Sequence, residues 1–285
     1  MASYIGTFRR KEVKYRLSAE QVEHLMEAMA GHMEADEYGI SDINSIYLDT
    51  AAHSIIARSM DKPLYKEKLR LCSYGTLGTS EQVFLELKKK FKGIVYKRRV
   101  GMSRGAAMAF LAGMPYEEAC ELNPLPGQDP HSGQGMLSRT SIQIAREIDA
   151  FIKRNEPMHR SMLIRCHRLA FRAAEADESG VQDDVIDREL RITFDFNITF
   201  EQYAPMHGEQ EPGSARIVES TRVRGPEELL EPGESIVEIK AVGAYPLWLV
   251  RALDECDAYP TSFSKYGEAY KRCHGAAEES EAIAE

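Results

Sequence analysis

Basic side chains recur at every second position along several short segments of this chain. Glu12, Lys14 and Arg16 alternate with Val13, Tyr15 and Leu17; Lys66, Lys68 and Arg70 with Leu69 and Leu71; Glu86, Lys88 and Lys90 with Val83, Leu85 and Leu87. Lys97 with Arg99, Arg168 with Arg172, Arg191 with Thr193 and Asp195, and Glu238 with Lys240 repeat the pattern. In an extended strand, residues i, i+2 and i+4 point to one face, so each segment presents a charged stripe opposite an apolar one. A single stripe of this kind is the ordinary solvent face of a half-exposed sheet. Seven of them, dominated by Lys and Arg, repel one another if left on an open surface. Turned inward in a closed antiparallel barrel, they would line a basic tunnel with an apolar outer wall covered by helices. Such a lining suits a polyanion, because Arg offers phosphate a planar fork and Lys a point charge. The scattered carboxylates, sharing ligation with phosphate oxygens, suit Mn2+ or Mg2+.

The elements that must carry these stripes can be read from periodicity and punctuation. Strands are expected at Phe8 to Leu17, Ile43 to Asp49, Leu64 to Tyr74, Val83 to Phe91 and Val95 to Val100, then at Met162 to Ala173, Arg191 to Ile198 and Ser235 to Val242. Ser18 followed by Gln21 is a capping box that starts a helix running to about Met33. Further helices are expected near Ala51 to Met60, over Ser103 to Ala112, over Leu137 to Asn155 with one apolar face, and starting near Pro246 and Phe263. Turns are expected at Gly75 to Ser80 and at Gly93, and a loop over Asn123 to Gly135. The order describes an α+β fold: a closed antiparallel barrel of about eight strands with flanking helices. It is read as a single domain over residues 1–275, with an acidic mobile tail over 276–285.

Composition narrows the function. With 285 residues and 43% of them hydrophobic, the chain can fill a substantial core. A net charge of −9 speaks against general nucleic-acid binding, and no nucleic-acid partner is expected. No apolar run approaches a bilayer span, and the first residues hold no apolar signal region, so a cytoplasmic location is expected and any transport would need a membrane partner. Five widely spaced cysteines fit a reducing compartment. No P-loop occurs, so ATP would have to be held another way. His131 lies in the expected loop, His167 and the pair Lys89 and Arg98 alternate onto outer faces, and Trp248 is read as a packing residue.

Nine segments, in order, resemble the VTC domain, the catalytic module of polyphosphate polymerases in the triphosphate tunnel metalloenzyme superfamily. They are E-V-K-Y from Glu12, Y-L-D-T from Tyr47, K-L-R-L-C-S-Y-G from Lys68, F-L-E-L-K-K-K from Phe84, Y-K-R-R from Tyr96, R-L-A-F from Arg168, R-I-T-F-D from Arg191, E-I-K from Glu238 and F-S-K-Y from Phe263. The resemblance implies transfer of the γ-phosphate of ATP onto a growing polyphosphate chain inside the tunnel. It implies a catalytic phosphate-binding set of Lys14, Lys68, Arg70, Lys88, Lys97, Arg168 and Arg191, with Glu238 as metal ligand. It also implies a contribution from Ser264 and Lys265 at the last helix. Glu12, Lys66, Glu86, Lys90, Arg99, Arg172 and Lys240 share the same faces and complete the substrate-binding lining. Related tunnel triphosphatases carry E-x-E-x-K on the first strand, where this chain has Arg10, Glu12 and Lys14. The lost carboxylate lowers the case for a two-metal triphosphatase. Two other readings stay open: a metal-dependent inorganic or nucleoside triphosphatase, and a non-enzymatic polyphosphate-binding domain.

Overall fold

The computed structural model describes residues 11–76, 81–92, 94–132, 136–174, 190–206 and 216–281, with side chains to 275. The chain is α+β and divides into two compact units. Residues 1–41, 166–198 and 230–263 form the first; residues 42–165, 199–229 and 264–285 form the second. Strands β2 (Met33–Thr50), β6 (Met158–Ala173) and β7 (Arg191–Pro205) contribute residues to both. Arg10 and residues 282–285 of the acidic tail lie outside the described residues.

In the first unit, β1 (Lys11–Leu17) pairs antiparallel with β10 (Ser235–Ala241), which pairs antiparallel with β7. The two-residue β11 (Pro260–Thr261) lies on the other side of β1. The apolar set from the alternation, Tyr15, Leu17, Ile192, Phe194, Val237 and Ile239, is buried. It packs with Leu25 of α1 (Ala19–Ala28) and Leu249 and Leu253 of α6 (Leu247–Glu255). The expected capping box is present: Ser18 Oγ accepts from Gln21 N at 3.3 Å while Ser18 N donates to Gln21 Oε1 at 2.9 Å. α1 stops earlier than the expected Met33, and Gly31, at φ 78°, supplies the left-handed residue that turns the chain into β2.

In the second unit, β2, β3 (Tyr65–Tyr74), β4 (Gln82–Phe91) and β5 (Ile94–Ser103) form consecutive antiparallel pairs. Leu69, Leu85, Leu87 and Val100 are buried with Ala145, Ile148, Phe151 and Ile152 of α5 (Arg139–Asn155). Lys89 and Arg98 reach Glu147 on that helix at 3.4 and 3.2 Å, so both lie on the apolar, helix-covered face, as alternation requires. α2 (Ser54–Met60), α3 (Arg104–Leu111), α4 (Tyr116–Leu122), β8 (Ile217–Val218), β9 (Ser220–Glu228) and α7 (Lys265–Glu281) complete the unit.

The expectation of a closed barrel is corrected. The strand order β11-β1-β10-β7-β6-β2-β3-β4-β5 has two ends, and among the described residues the sheet is open. Among the described residues it has eleven strands rather than about eight, two of them only two residues long. The ends are ill suited to join a ladder. β11 opens on Pro260, which has no N–H to donate, and the other end strand, β5, carries the exposed charges Lys97 and Arg98 that discourage edge pairing. β2 also begins ten residues before Ile43: its acidic first part shows no alternation, but Glu34 is held there by Arg172 of β6 at 2.9 Å.

Candidate functional site

Opposite the helix-covered face of the second unit, register aligns the basic residues into rows across three strands. Lys68, Lys88 and Lys97 are Cα partners in one row; Arg70, Glu86 and Arg99 form the next; Lys66 and Lys90 share the row on the other side. Seven cations therefore lie on one face with a single carboxylate, Glu86, which is 2% exposed. Arg70 binds it with Nε at 2.8 Å and Nη2 at 2.6 Å on Oε2, while Lys97 Nζ stands 2.7 Å and Arg99 Nε 3.3 Å from Oε1. Burial alone would raise the Glu86 carboxyl, but Arg70 and then Lys97 outweigh it and hold it below its ordinary value. Lys66 donates to Ser59 O at 3.2 Å, and burial followed by the charges of Lys90 and Lys62 pulls its ammonium below the usual range. The Arg99 guanidinium lies 3.7 Å from the Phe84 ring centroid, which fixes its plane.

Ser264 and Lys265 stand at the start of α7, and Ser264 is its cap. Its Oγ accepts from Gly267 N at 3.2 Å and from Lys68 Nζ at 2.9 Å. Lys265 is the first helical residue and is partly buried. The position of Ser264 is set by residues of the Y-L-D-T and F-S-K-Y segments for which the sequence alone predicts no role. Tyr266 is 1% exposed, donates its hydroxyl to Asp49 Oδ2 at 2.8 Å, and stacks on Tyr47 at a centroid distance of 4.3 Å. Asp49, wholly buried, also accepts from the backbone N–H groups of Ile55 and Ile56 at 3.0 Å each, neutralising the start of α2. Burial, then the Asp49 charge, pushes the Tyr266 phenol well above its usual range, so it stays a donor. Ser161 Oγ lies 3.0 Å from that hydroxyl and His53 Nδ1 3.0 Å from Ser161 Oγ. The Y-L-D-T and F-S-K-Y segments thus meet in one buried network.

The first unit's charged face is arranged differently. Lys14 Nζ is 3.0 Å from Glu238 and 4.0 Å from Glu12, and Lys240 Nζ is 3.5 Å from Glu238 and 3.8 Å from Glu12. The four charges alternate in sign around a ring. Lys14 also donates to Phe263 O at 3.2 Å. Arg168 makes a bidentate pair with the wholly buried Asp195, both bonds 2.6 Å. Burial would lower the guanidinium, but Asp195 outweighs it and keeps Arg168 firmly charged. Arg191 is exposed, in register with Lys240 and Glu12. Arg172 pairs with Glu34, which separates it from this ring.

Among the described residues no group of three or more His, Cys, Asp and Glu side chains converges as a metal cage. The donor set still fits a hard cation in the shared mode, with one or two carboxylates from the protein and the rest from phosphate. Glu238 and Glu12 offer carboxylates, and Thr193, in register with Glu238, has a buried hydroxyl with no hydrogen-bond partner among the described residues.

No helix among the described residues is long and apolar enough to cross a membrane. None of the five cysteines is in a disulfide, and Trp248 stacks on His32 at 4.6 Å, a packing contact. Solved structures that align with this chain include a candidate adenylate cyclase from Vibrio parahaemolyticus, at 9% identity over 93% of this chain and 99% of that chain, TM-score 0.41. Another is the PH1819 protein from Pyrococcus horikoshii OT3, at 11% identity over 87% and 86%, TM-score 0.34. No curated protein sequence matches. The VTC domain profile matches residues 9–274, which holds both charged faces and the start of α7, and the chain accordingly belongs to the VTC domain family.

Proposed function

We propose that the protein is a polyphosphate polymerase that transfers the γ-phosphate of ATP onto a growing polyphosphate chain. The observation that carries this reading is the three-strand lysine and arginine array of the second unit, seven cations on one face with a single carboxylate. Such an array is repulsive on its own and becomes favourable when phosphates fill it. Lys68, Lys88, Lys97, Lys66 and Lys90 act as point charges along the chain, and Arg70 and Arg99, oriented by Glu86, as forks. In the first unit, Lys14, Lys240, Arg168 and Arg191 are the phosphate-binding bases. Lys265 and the Ser264 hydroxyl add donors at the start of α7.

Phosphoryl transfer asks the protein mainly for positioning and charge neutralisation. A terminal oxygen of the polyphosphate chain attacks the γ-phosphorus. That P–O bond forms as the bond to the β,γ-bridging oxygen breaks, and ADP leaves with the bonding electrons. The attacking oxygen is already anionic and gives up no proton. The side chains agree with this: Glu86, the carboxylate of the second unit's array, is bound by Arg70 and Lys97 and held ionised below its ordinary value, so it is a poor proton acceptor. A water nucleophile would need a proton acceptor, and Glu86 is not suited to that role. Glu238, with Glu12 and the Thr193 hydroxyl nearby in register, would hold Mn2+ or Mg2+, which when bound neutralises charge on the phosphate oxygens.

The test is incubation of the purified protein with ATP and Mn2+ or Mg2+, with products resolved on a gel and treated with exopolyphosphatase. Chains that the exopolyphosphatase removes, and that Lys88→Ala and Glu238→Ala abolish, support the reading. Release of orthophosphate alone assigns the site to triphosphate hydrolysis, and binding without turnover assigns it to polyphosphate retention.

A further inference from the structure

The apolar face of β3, β4 and β5 loses its helical cover before the strands end. Arg154, next to the last residue of α5, reaches Glu67 at 3.4 Å, in the row of Glu67 and Lys89. In the next row stand Tyr65, Phe91 and Ile94, register partners across three strands, exposed by 46, 43 and 37%. Tyr96 is 48% exposed and Leu64 71%, and the Leu64 carbonyl accepts from Lys92 N at 2.9 Å, which ties it to the same end. Two bases stand beside this strip, along with the exposed Asp61 and with Glu67, which accepts the Tyr65 hydroxyl at 2.6 Å. Lys62 and Lys92 are exposed, and Lys92 Nζ lies 5.4 Å from the Phe91 ring centroid. No Asp or Glu occurs between Leu87 and Tyr116.

We infer that this end of the β3-β4-β5 hairpins docks on the surface of an anionic phospholipid bilayer. Phe91, Ile94 and Tyr96 enter the interfacial layer while Lys62 and Lys92 meet the lipid phosphates. The combination selects the occupant. A soluble phosphate chain gains nothing from Phe91, Ile94 or Leu64, and an uncharged apolar partner gains nothing from the lysines. Aromatic and aliphatic groups beside snorkelling lysines match the boundary between headgroups and acyl chains. The inference stands apart from the phosphate-transfer reading, since none of these five side chains was placed in that array.

The test is co-sedimentation of the whole protein with phosphatidylcholine vesicles and with vesicles also containing phosphatidylserine. Binding to the anionic vesicles is expected to exceed binding to the neutral ones by about tenfold or more. The exposed double variant Phe91→Gln/Tyr96→Gln should lose about tenfold of that binding with its circular dichroism and its ATP turnover in solution unchanged, and Lys62→Glu/Lys92→Glu should lose a similar factor. Failure of the protein to bind anionic vesicles overturns the inference. So does equal binding by the wild type and Phe91→Gln/Tyr96→Gln, which would make the attraction purely electrostatic. Self-association abolished by the same variant, with no vesicle binding, assigns the strip to a second copy instead.

Discussion

The charged faces of the two units follow the same two-residue alternation and differ in how their charge is balanced. In the first unit, acids and bases are matched nearly one to one: Lys14 and Lys240 with Glu12 and Glu238, Arg168 with Asp195, Arg172 with Glu34. In the second, seven bases lie on one face with a single carboxylate, Glu86, which Arg70, Lys97 and Arg99 contact. A matched face is satisfied by the fold itself and its pairs support the folded state. A face on which bases outnumber acids carries like-charge repulsion that an arriving anion would relieve. Buried pairs and exposed cation rows should therefore respond in opposite ways to substitution.

The sharpest way to break this comparison is Lys88→Ala. Lys88 sits between Lys68 and Lys97, so its removal should cut turnover of ATP by about 100-fold or more through lost charge stabilisation, with a melting temperature equal to or above that of the wild type. A variant that melts lower yet keeps its activity would show that the row is structural. Asp195→Asn should behave in reverse on stability. It leaves the partly buried Arg168 without its bidentate acceptor, and urea unfolding should report a loss of about 3 kcal/mol. Tyr266→Phe retains the stack on Tyr47 but removes the donor to Asp49, leaving a buried carboxylate oxygen short of one bond; a loss of about 1–2 kcal/mol is expected in the same measurement. Its activity should fall as well, because Ser264 and with it Lys68 lose their reference point.

The smallest expected effect is on the acid limb of the stability curve. The folded Glu86 has its pKa lowered from 4.5, burial opposing and Arg70 and Lys97 prevailing. Its contribution is complete above the unfolded value and is lost as pH falls through the lower folded value. Thermal melts of Glu86→Gln between pH 6 and pH 3 should accordingly show a flatter decline than those of the wild type. An unchanged slope would mean that the array does not rely on this carboxylate for its cohesion.

Where side chains alternate or cap, the structure could be read from the chain. The stripes on β1, β3, β4, β5, β7 and β10, the Ser18 box, and the assignment of Lys89 and Arg98 to the face opposite Lys88 and Lys97 all follow from period two and local hydrogen bonding. Elements recruited by distant backbone did not announce themselves. The acidic first half of β2 and the Arg- and Glu-rich β9 have neither alternation nor strong strand formers, and pairing with another strand decides them. α4 is seven residues long and starts after Pro115 without a side-chain cap, too short to show a helical period. The same distinction holds in the site. Cations in a strand are visible as a pattern, whereas the role of Asp49 depends on Tyr266, 217 positions away in sequence. The open ends of the sheet were also illegible, because closure depends on whether the two terminal strands can pair, a property of neither strand alone.

Lys88, Lys89 and Lys90 are three identical letters in succession, yet Lys88 and Lys90 belong to the cation rows and Lys89 to the contact with α5. The strand therefore has a reading frame. Deleting one residue from β4 would exchange its two faces over the remainder of its length, carrying Leu85 and Leu87 out of the core and Lys89 into the array. In a library of variants, single-residue deletions and insertions within β4 should be as damaging as loss of the whole hairpin, while exchange of Lys for Arg at any of the three positions is tolerated far better.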